Sequence, residues 1–441
     1  MADVRAFRGI RYSAARFGSD LTDVVCPPYD VISPSEQDEL YRRNPANFVR
    51  LELTAAPLNE PAEERYTRAG AQFHSWLTDR TLVEESRPAL YAYSQSFSLD
   101  DTDFERRGVV ASLRIEDWET RTVRPHERTL SGPKQDRLNL MHACRANFSP
   151  IWGLYEDSSR STARIWEGVM GVAPAARATD RDGVQHALWA VTDPERVRDF
   201  EEALSDLPVY IADGHHRYET AMRYRSDVQN QIHVRPNAAV NFVLAYLVES
   251  SDPGLFVLGT HRLLKLPRAL GRGDIEGTLR RWFELQPITE SPDALLGALA
   301  VEEAGSAFGV WSPRFDLSLL ARRRDPDGIP SEMADPHSPA WRRLDLAALH
   351  VLGIDQLCPE GTSVLSEAGY LRYARTQGEV EAALADGSAD VAFLVRHTPV
   401  SQVMAVADAG DLMPEKSTYF YPKPLSGLVV ASLDGDLTPV A

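Results

Sequence analysis

The chain has 441 residues, 43% hydrophobic and 25% charged, with a formal net charge of −17. That is ample for a sizeable core in two or three domains and is not a disordered composition. A broadly acidic surface repels nucleic acid, so no nucleic-acid partner is expected, and no run of about 18 apolar residues offers a membrane span. Cys26, Cys144 and Cys358 are too scattered for a disulfide framework or a thiolate metal site. The N-terminus lacks the apolar core of a signal peptide, so a soluble cytoplasmic protein is expected.

Residues 5–55 read as short strands and turns with one helix, which Ser33 caps and Pro34 opens. Asn47–Leu53 alternates in strand fashion. Residues 61–79 carry a helical pattern whose aromatic stripe, with Tyr66, Phe73 and Trp76, suits a core. Leu90–Phe97 and Gly108–Leu113 predict a hairpin around a charged loop. The stretch 123–142 is a long polar connection, rich in fixed charge, of the kind that often serves function. A strand follows at Ile151–Tyr155, then a helix near 195–205.

Val209–Ala212 is a short apolar run consistent with a buried strand, and it stops at Asp213-Gly214. His215, His216 and Arg217 follow, opening a segment of helical character. Glycine permits a sharp turn and close approach of a ligand. The start of the helix offers unpaired N–H groups and the positive end of its dipole. Together they predict an anion pocket, most naturally for phosphate. The plainer alternative is an ordinary Asp-Gly turn before a solvated helix. Adjacent histidines diverge on a helix, so they do not by themselves specify a metal.

Residues 237–249 read as a helix or buried strand, and Phe256–Arg262 as a strand ending in polar His261 and Arg262, candidates for the same pocket. Composition shifts after Pro267. Residues 268–395 predict two helices, a β region near 306–321, a Pro/Asp/Gly-rich turn at 325–330 and helices near 344–352 and 378–385. The basic run Arg322–Arg324 is followed by Asp325 and Asp327 and reads as a solvated strand end or loop. Thr398-Pro399 starts another helix, and a final strand is expected at 427–431. The expected organisation is a phosphate-binding region over 1–267 and an α+β subdomain over 268–441, whose segment 413–423 returns to the site.

Of 47 basic residues only four are lysine: Lys134, Lys265, Lys416 and Lys423. In so arginine-rich a chain, a surviving lysine suggests a need for a compact point charge. Lys134, Lys416 and Lys423 lie in turn-like polar segments suited to ligand contact; chance survival on a solvated loop is the alternative.

The turn Asp213–Arg217 resembles the Asp-Gly-His-His-Arg motif of the ParB/sulfiredoxin-like nucleotide-binding fold, which includes free serine kinases. With Cys26–Ser33, Pro125–Lys134, Arg145–Pro150 and Met413–Thr418, the chain is identified as a member of domain-of-unknown-function family 1015. The resemblance implies a mixed α+β fold with a ParB-like core, enlarged here, and a nucleotide, ATP or ADP, carried with Mg²⁺. The net charge argues against the DNA-binding branch of that fold.

The implied activity is a small-molecule kinase with a hydroxyl acceptor such as serine. Gly214, His215, His216, Arg217, His126 and Lys416 would contact the nucleotide, and Lys134 and Arg137 would stabilise developing charge. Glu127 is favoured as base, with Asp213 orienting the acceptor or a hydrated metal; Asp30, Glu52 and Asp136 are the other carboxylates in reserve. No Gly-x-x-x-x-Gly-Lys-Ser/Thr loop or protein-kinase signature occurs. A nucleotide phosphohydrolase or nuclease, and a nucleotide-binding regulator without chemistry, stand as alternatives.

Overall fold

The structure is a computed structural model that describes residues 2–55, 63–99, 101–128, 131–288, 291–325, 328–334 and 336–437. Thr129 and Leu130, residues 61–62 and residues 326–327, each part of a segment singled out above, lie outside the described residues. The fold is mixed α+β, as expected. The chain divides into two compact units, one of Met1–Pro125, Thr129–Leu255 and Pro422–Ala441, the other of His126–Arg128 and Phe256–Tyr421.

The elements of the first unit used below are, in chain order, β1 (Val4–Arg5), α1 (Pro34–Arg43), α2 (Val49–Glu52), α3 (Glu64–Thr78), β2 (Leu90–Leu99), β3 (Thr102–Arg114), β4 (Val123–Arg124), α4 (Ser131–Cys144), β5 (Ile151–Tyr155), β6 (Ala176–Thr179), β7 (Gln185–Val191), α5 (Pro194–Ser205), β8 (Val209–Asp213), α6 (His215–Gln229) and β9 (Phe242–Glu249). Among the described residues its largest sheet has nine strands in the order β4–β8–β5–β9–β3–β2–β7–β6, with β1 also on β3. β4 runs parallel to β8, and β5 parallel to β9; the other pairs are antiparallel. β9 is buried at every residue from Phe242 to Val248, the pattern of a central strand covered on both faces. Val209, Ile211, Val243, Ala245 and Leu247 join Phe200 and Leu204 of α5 and Tyr218 and Ala221 of α6 in one core. Each fully buried Val, Leu or Ile contributes about 1.5–3 kcal/mol, so this packing anchors the end of β8.

Ser33 caps α1 with a reciprocal capping box to Glu36, as its sequence predicts. Asn47–Leu53 is a correction, because it forms the single helical turn α2 and no strand. The cause is Asn47: its Oδ1 accepts the Val49 N–H at 3.0 Å while its amide donates to the Asp23 and Val25 carbonyls. That side chain offers the backbone a turn in place of a ladder. The polar stretch 123–142 is likewise corrected from a long loop, since α4 takes up much of it. Leu138, Leu140 and Met141 supply the apolar contacts, while Arg137 pairs with Asp136 on the same helix and Lys134 pairs with Glu219. In the hairpin, β3 runs through the charged residues expected in the loop; Arg106 is fully buried there, its guanidinium 3.9 Å from the Trp152 ring. The last strand is shorter than expected, Ala431–Ser432 against Ala146–Asn147.

The second unit contains β10 (Phe256–Leu258), β11 (His261–Leu264), α7 (Arg272–Leu279), β12 (Phe283–Pro287), α8 (Pro292–Ala300), β13 (Ala307–Ser312), β14 (Leu317–Arg323), α9 (Asp345–Ala348), β15 (Leu371–Ala374), α10 (Gln377–Ala385), β16 (Val391–Leu394), α11 (Val400–Asp408) and β17 (Tyr419–Tyr421). Its six-stranded antiparallel sheet has the order β12–β14–β13–β16–β11–β15, and β10 pairs separately with β17. A π-helical turn, Leu349–Ile354, continues α9. Phe256–Arg262 is a further correction: it breaks at Gly259-Thr260, so His261 and Arg262 open β11 instead of ending a strand. A Cβ at Gly259 would lie 2.5 Å from the Arg396 carbonyl oxygen, so the break is a close backbone approach.

Candidate functional site: the Gly214 turn

β8 ends at Asp213, and Gly214 turns the chain with φ +88°. A side chain is disfavoured there twice, by that left-handed backbone and by space. An ideal Cβ at Gly214 would meet the Arg217 Nε at 2.8 Å. Arg217, on the first turn of α6, folds back under the glycine. It donates to Asp213 Oδ2 at 2.6 Å and to the Pro150 carbonyl.

Lys423 closes an ion pair on the other oxygen of Asp213. Its segment is tied to the sheet, because Arg106 donates to the Pro422 carbonyl and Gln95 to the Lys423 carbonyl at 3.1 Å. Burial opposes charge on Asp213, but Lys423 and Arg217 outweigh it and hold the carboxyl well below its usual range. Asp213 therefore orients two cations and is a poor proton acceptor. His215 is buried at the helix start, and His216 is half-buried beside it.

A small cavity lies beside this turn, lined by Glu52, Arg137, Asn147, Ser149, Arg217 and Thr220 among others. Arg137 donates to the Glu52 carbonyl at 2.8 Å, pairs with Asp136, and lies 4.1 Å from the Tyr29 ring centroid. Glu52 is 2% exposed; its Oε1 accepts from the Ser149 hydroxyl at 2.6 Å, and its Oε2 has no partner among the described residues. Ser149 in turn meets the Ser426 hydroxyl at 2.6 Å. Burial pushes the Tyr29 phenol up to about 12. Sequence reasoning held Glu52 in reserve and did not single out Asn147, Ser149, Tyr29 or Ser426 for a role. The sequence carries a signal for the first three, because they lie in the family segments Cys26–Ser33 and Arg145–Pro150.

Lys134 of α4 pairs with Glu219 of α6 at 2.8 Å, both half-buried. Asp136 also binds Arg65 and the Tyr66 hydroxyl, whereas Asp30 is exposed in a short turn. The remaining expected residues belong to the second unit. His126 is buried there, its Nε2 3.0 Å from the Thr418 hydroxyl and its carbonyl accepting the Met413 N–H. Glu127 is half-buried. Lys416 is exposed with φ +55°, and its carbonyl accepts from Arg262. His261 Nδ1 accepts the Val395 N–H, and burial lowers this imidazole to about 4. All three cysteines are buried and outside any disulfide, and among the described residues no group of three or more His, Cys, Asp or Glu could hold a metal. No helix among the described residues is long and apolar enough to cross a membrane.

Residues 4–347 match the model of a family described as protein of unknown function (DUF1015). The chain belongs to that family. Its fold is similar to that of free serine kinase in complex with AMP, at 12% identity and a TM-score of 0.36, covering 75% of this chain and 92% of that one. It is also similar to a conserved hypothetical protein from Pyrococcus furiosus, at 12% identity and a TM-score of 0.34, covering 75% and 95%. SbnI from Staphylococcus aureus, with a C-terminal truncation, matches at 11% identity and a TM-score of 0.34, covering 74% and 87%. No curated protein matches the chain.

Proposed function

We propose that this protein binds a nucleotide through the Gly214 turn and transfers phosphate to a small hydroxyl acceptor, with free serine the first candidate. The observation that carries the reading is the turn itself: a buried strand ends at Asp213, Gly214 adopts φ +88°, and a helix begins with His215, His216 and Arg217. Backbone N–H groups and the helix dipole favour an anion there.

In this proposal Gly214, His215, His216 and Arg217 hold the phosphates, with His126 and Lys416 as further nucleotide contacts. Lys134 and Arg137 add positive charge. Glu127 takes the proton from the acceptor hydroxyl. That oxygen bonds to the terminal phosphorus while the bond to the nucleotide breaks, and its electron pair leaves with the nucleotide. Asp213 keeps Arg217 and Lys423 in place and does not accept the proton. Mg²⁺ would ride on the phosphates of ATP or ADP, neutralising their charge.

The test is phosphorus NMR of purified protein with ATP or ADP, with and without serine. Phosphoserine formed only when serine is present supports the reading. Equal phosphate release without an acceptor would make the protein a hydrolase. Tight nucleotide binding with no turnover on any hydroxyl acceptor would make it a regulator.

A further inference from the structure

The second unit contains a cavity of about 270 Å³ with no part in the reading above, lined by residues that include Arg128, Trp341, His350, Asp355, Tyr373 and Glu415. Behind it lies Arg262, which is fully buried. Its Nε donates to His350 Nε2 at 3.2 Å. Its other nitrogens donate to the carbonyls of Thr260, Glu415 and Lys416, and its guanidinium sits 5.3 Å from the Tyr373 ring centroid. Among the described residues no carboxylate pairs with it. A buried charge ordinarily has a counter-ion, because hydrogen bonds to neutral groups leave the charge itself uncompensated. Burial accordingly lowers the guanidinium to about 10.

Two further residues that line the cavity carry ring N–H donors. Because His350 Nε2 accepts from Arg262, its neutral ring carries the proton on Nδ1, a donor. The Trp341 indole N–H is buried with no partner among the described residues. The indole is held flat against His337, with ring centroids 3.7 Å apart, and Asp411 fixes His337 at 3.0 Å. Of the acidic residues on the cavity, Asp355 accepts the Thr362 N–H at 2.8 Å and Glu415 is exposed at the rim. His350 lies in the π-helical turn, a feature frequent at functional sites.

We propose that this cavity binds a small oxyanion, a carboxylate or a phosphate, which supplies the counter-charge that Arg262 lacks and acceptors for His350 and Trp341.

The test titrates the full chain with sodium phosphate and, separately, sodium acetate at constant ionic strength. The readout is the fluorescence change that Trp341→Phe removes. Saturation by either anion supports the site and identifies its chemistry. Both rim charges are exposed, so their variants should fold. Arg128→Gln should weaken binding about two- to fivefold and Glu415→Gln should tighten it by a similar factor. Arg262→Met should abolish the signal; if that variant fails to fold, the rim pair still decides. Arg217→Ala should leave the signal unchanged. Absence of saturable binding by both anions overturns the proposal. So does binding that ignores both rim variants and disappears in Arg217→Ala, since it would then belong to the turn.

Discussion

Lys423, 210 residues beyond Asp213 in the chain, pairs with Asp213 Oδ1 while Arg217 holds Oδ2 at 2.6 Å. Both oxygens of that carboxylate are thus committed to cations. Their removal should act on the site through position and charge.

Arg217→Ala removes a buried donor from the proposed phosphate site. Charge-assisted contacts of this kind are worth about 1.5–3 kcal/mol, so nucleotide affinity should fall about tenfold or more. Calorimetric titration with ADP is the check. Unchanged affinity in a folded variant would take the turn out of the site.

Gly214→Ala tests the turn by shape. A left-handed conformation costs a non-glycine residue about 1–2 kcal/mol, and the new Cβ would press on the Arg217 guanidinium. Urea denaturation should show a loss of at least that size, together with weaker nucleotide binding. A variant as stable as wild type would mean that the turn relaxes freely.

Lys423→Met should change the response to acid. The Asp213 carboxyl is depressed below its ordinary value of 3.8 in the fold, so its contribution to stability is complete above that value. The contribution is lost as pH falls through the lower folded value. Without Lys423 the depression shrinks, so stability at neutral pH should drop and its acid-side dependence should flatten. Denaturation curves between pH 2 and pH 7 measure both. A pH profile parallel to wild type would show that Lys423 does not set the state of Asp213.

Lys134→Arg keeps the charge but changes its reach. The exchange should cost little stability, since half-exposed pairs are worth about 0–1 kcal/mol. If Lys134 serves the phosphate as a point charge, turnover should nevertheless suffer. Full activity would mean that lysine persists there for its pairing with Glu219 or by chance.

Glu127→Gln addresses the proton transfer. A base acting in the transition state contributes about 10²–10⁴-fold in rate. The variant should therefore bind nucleotide like wild type and transfer phosphate at least about a hundredfold more slowly. Equal losses of affinity and rate would assign Glu127 to ligand positioning. The search would then move to Glu52, whose Oε2 has no partner among the described residues.

Local chemistry was legible in the sequence. The Ser33-Pro34 helix start, the Asp213-Gly214 turn into α6 and the aromatic stripe of α3 all depend on residues a few positions apart. Asn47 and the stretch 123–142 misled, because side-chain hydrogen bonding in one and helix packing in the other outweighed the residue pattern. Arg137, Arg217 and Lys134 stood out as cations, but a linear chain does not show which carboxylate each one meets. The sheet decided that, by bringing Glu52, Ser149 and Ser426 within hydrogen-bonding reach and by tying Lys423 to strands that precede it by more than 300 residues. Sequence by itself determined the turn, the family and the kinds of charge available. Only the tertiary structure decided which charges are paired, because pairing depends on distance in space and on burial, and neither is encoded by spacing along the chain.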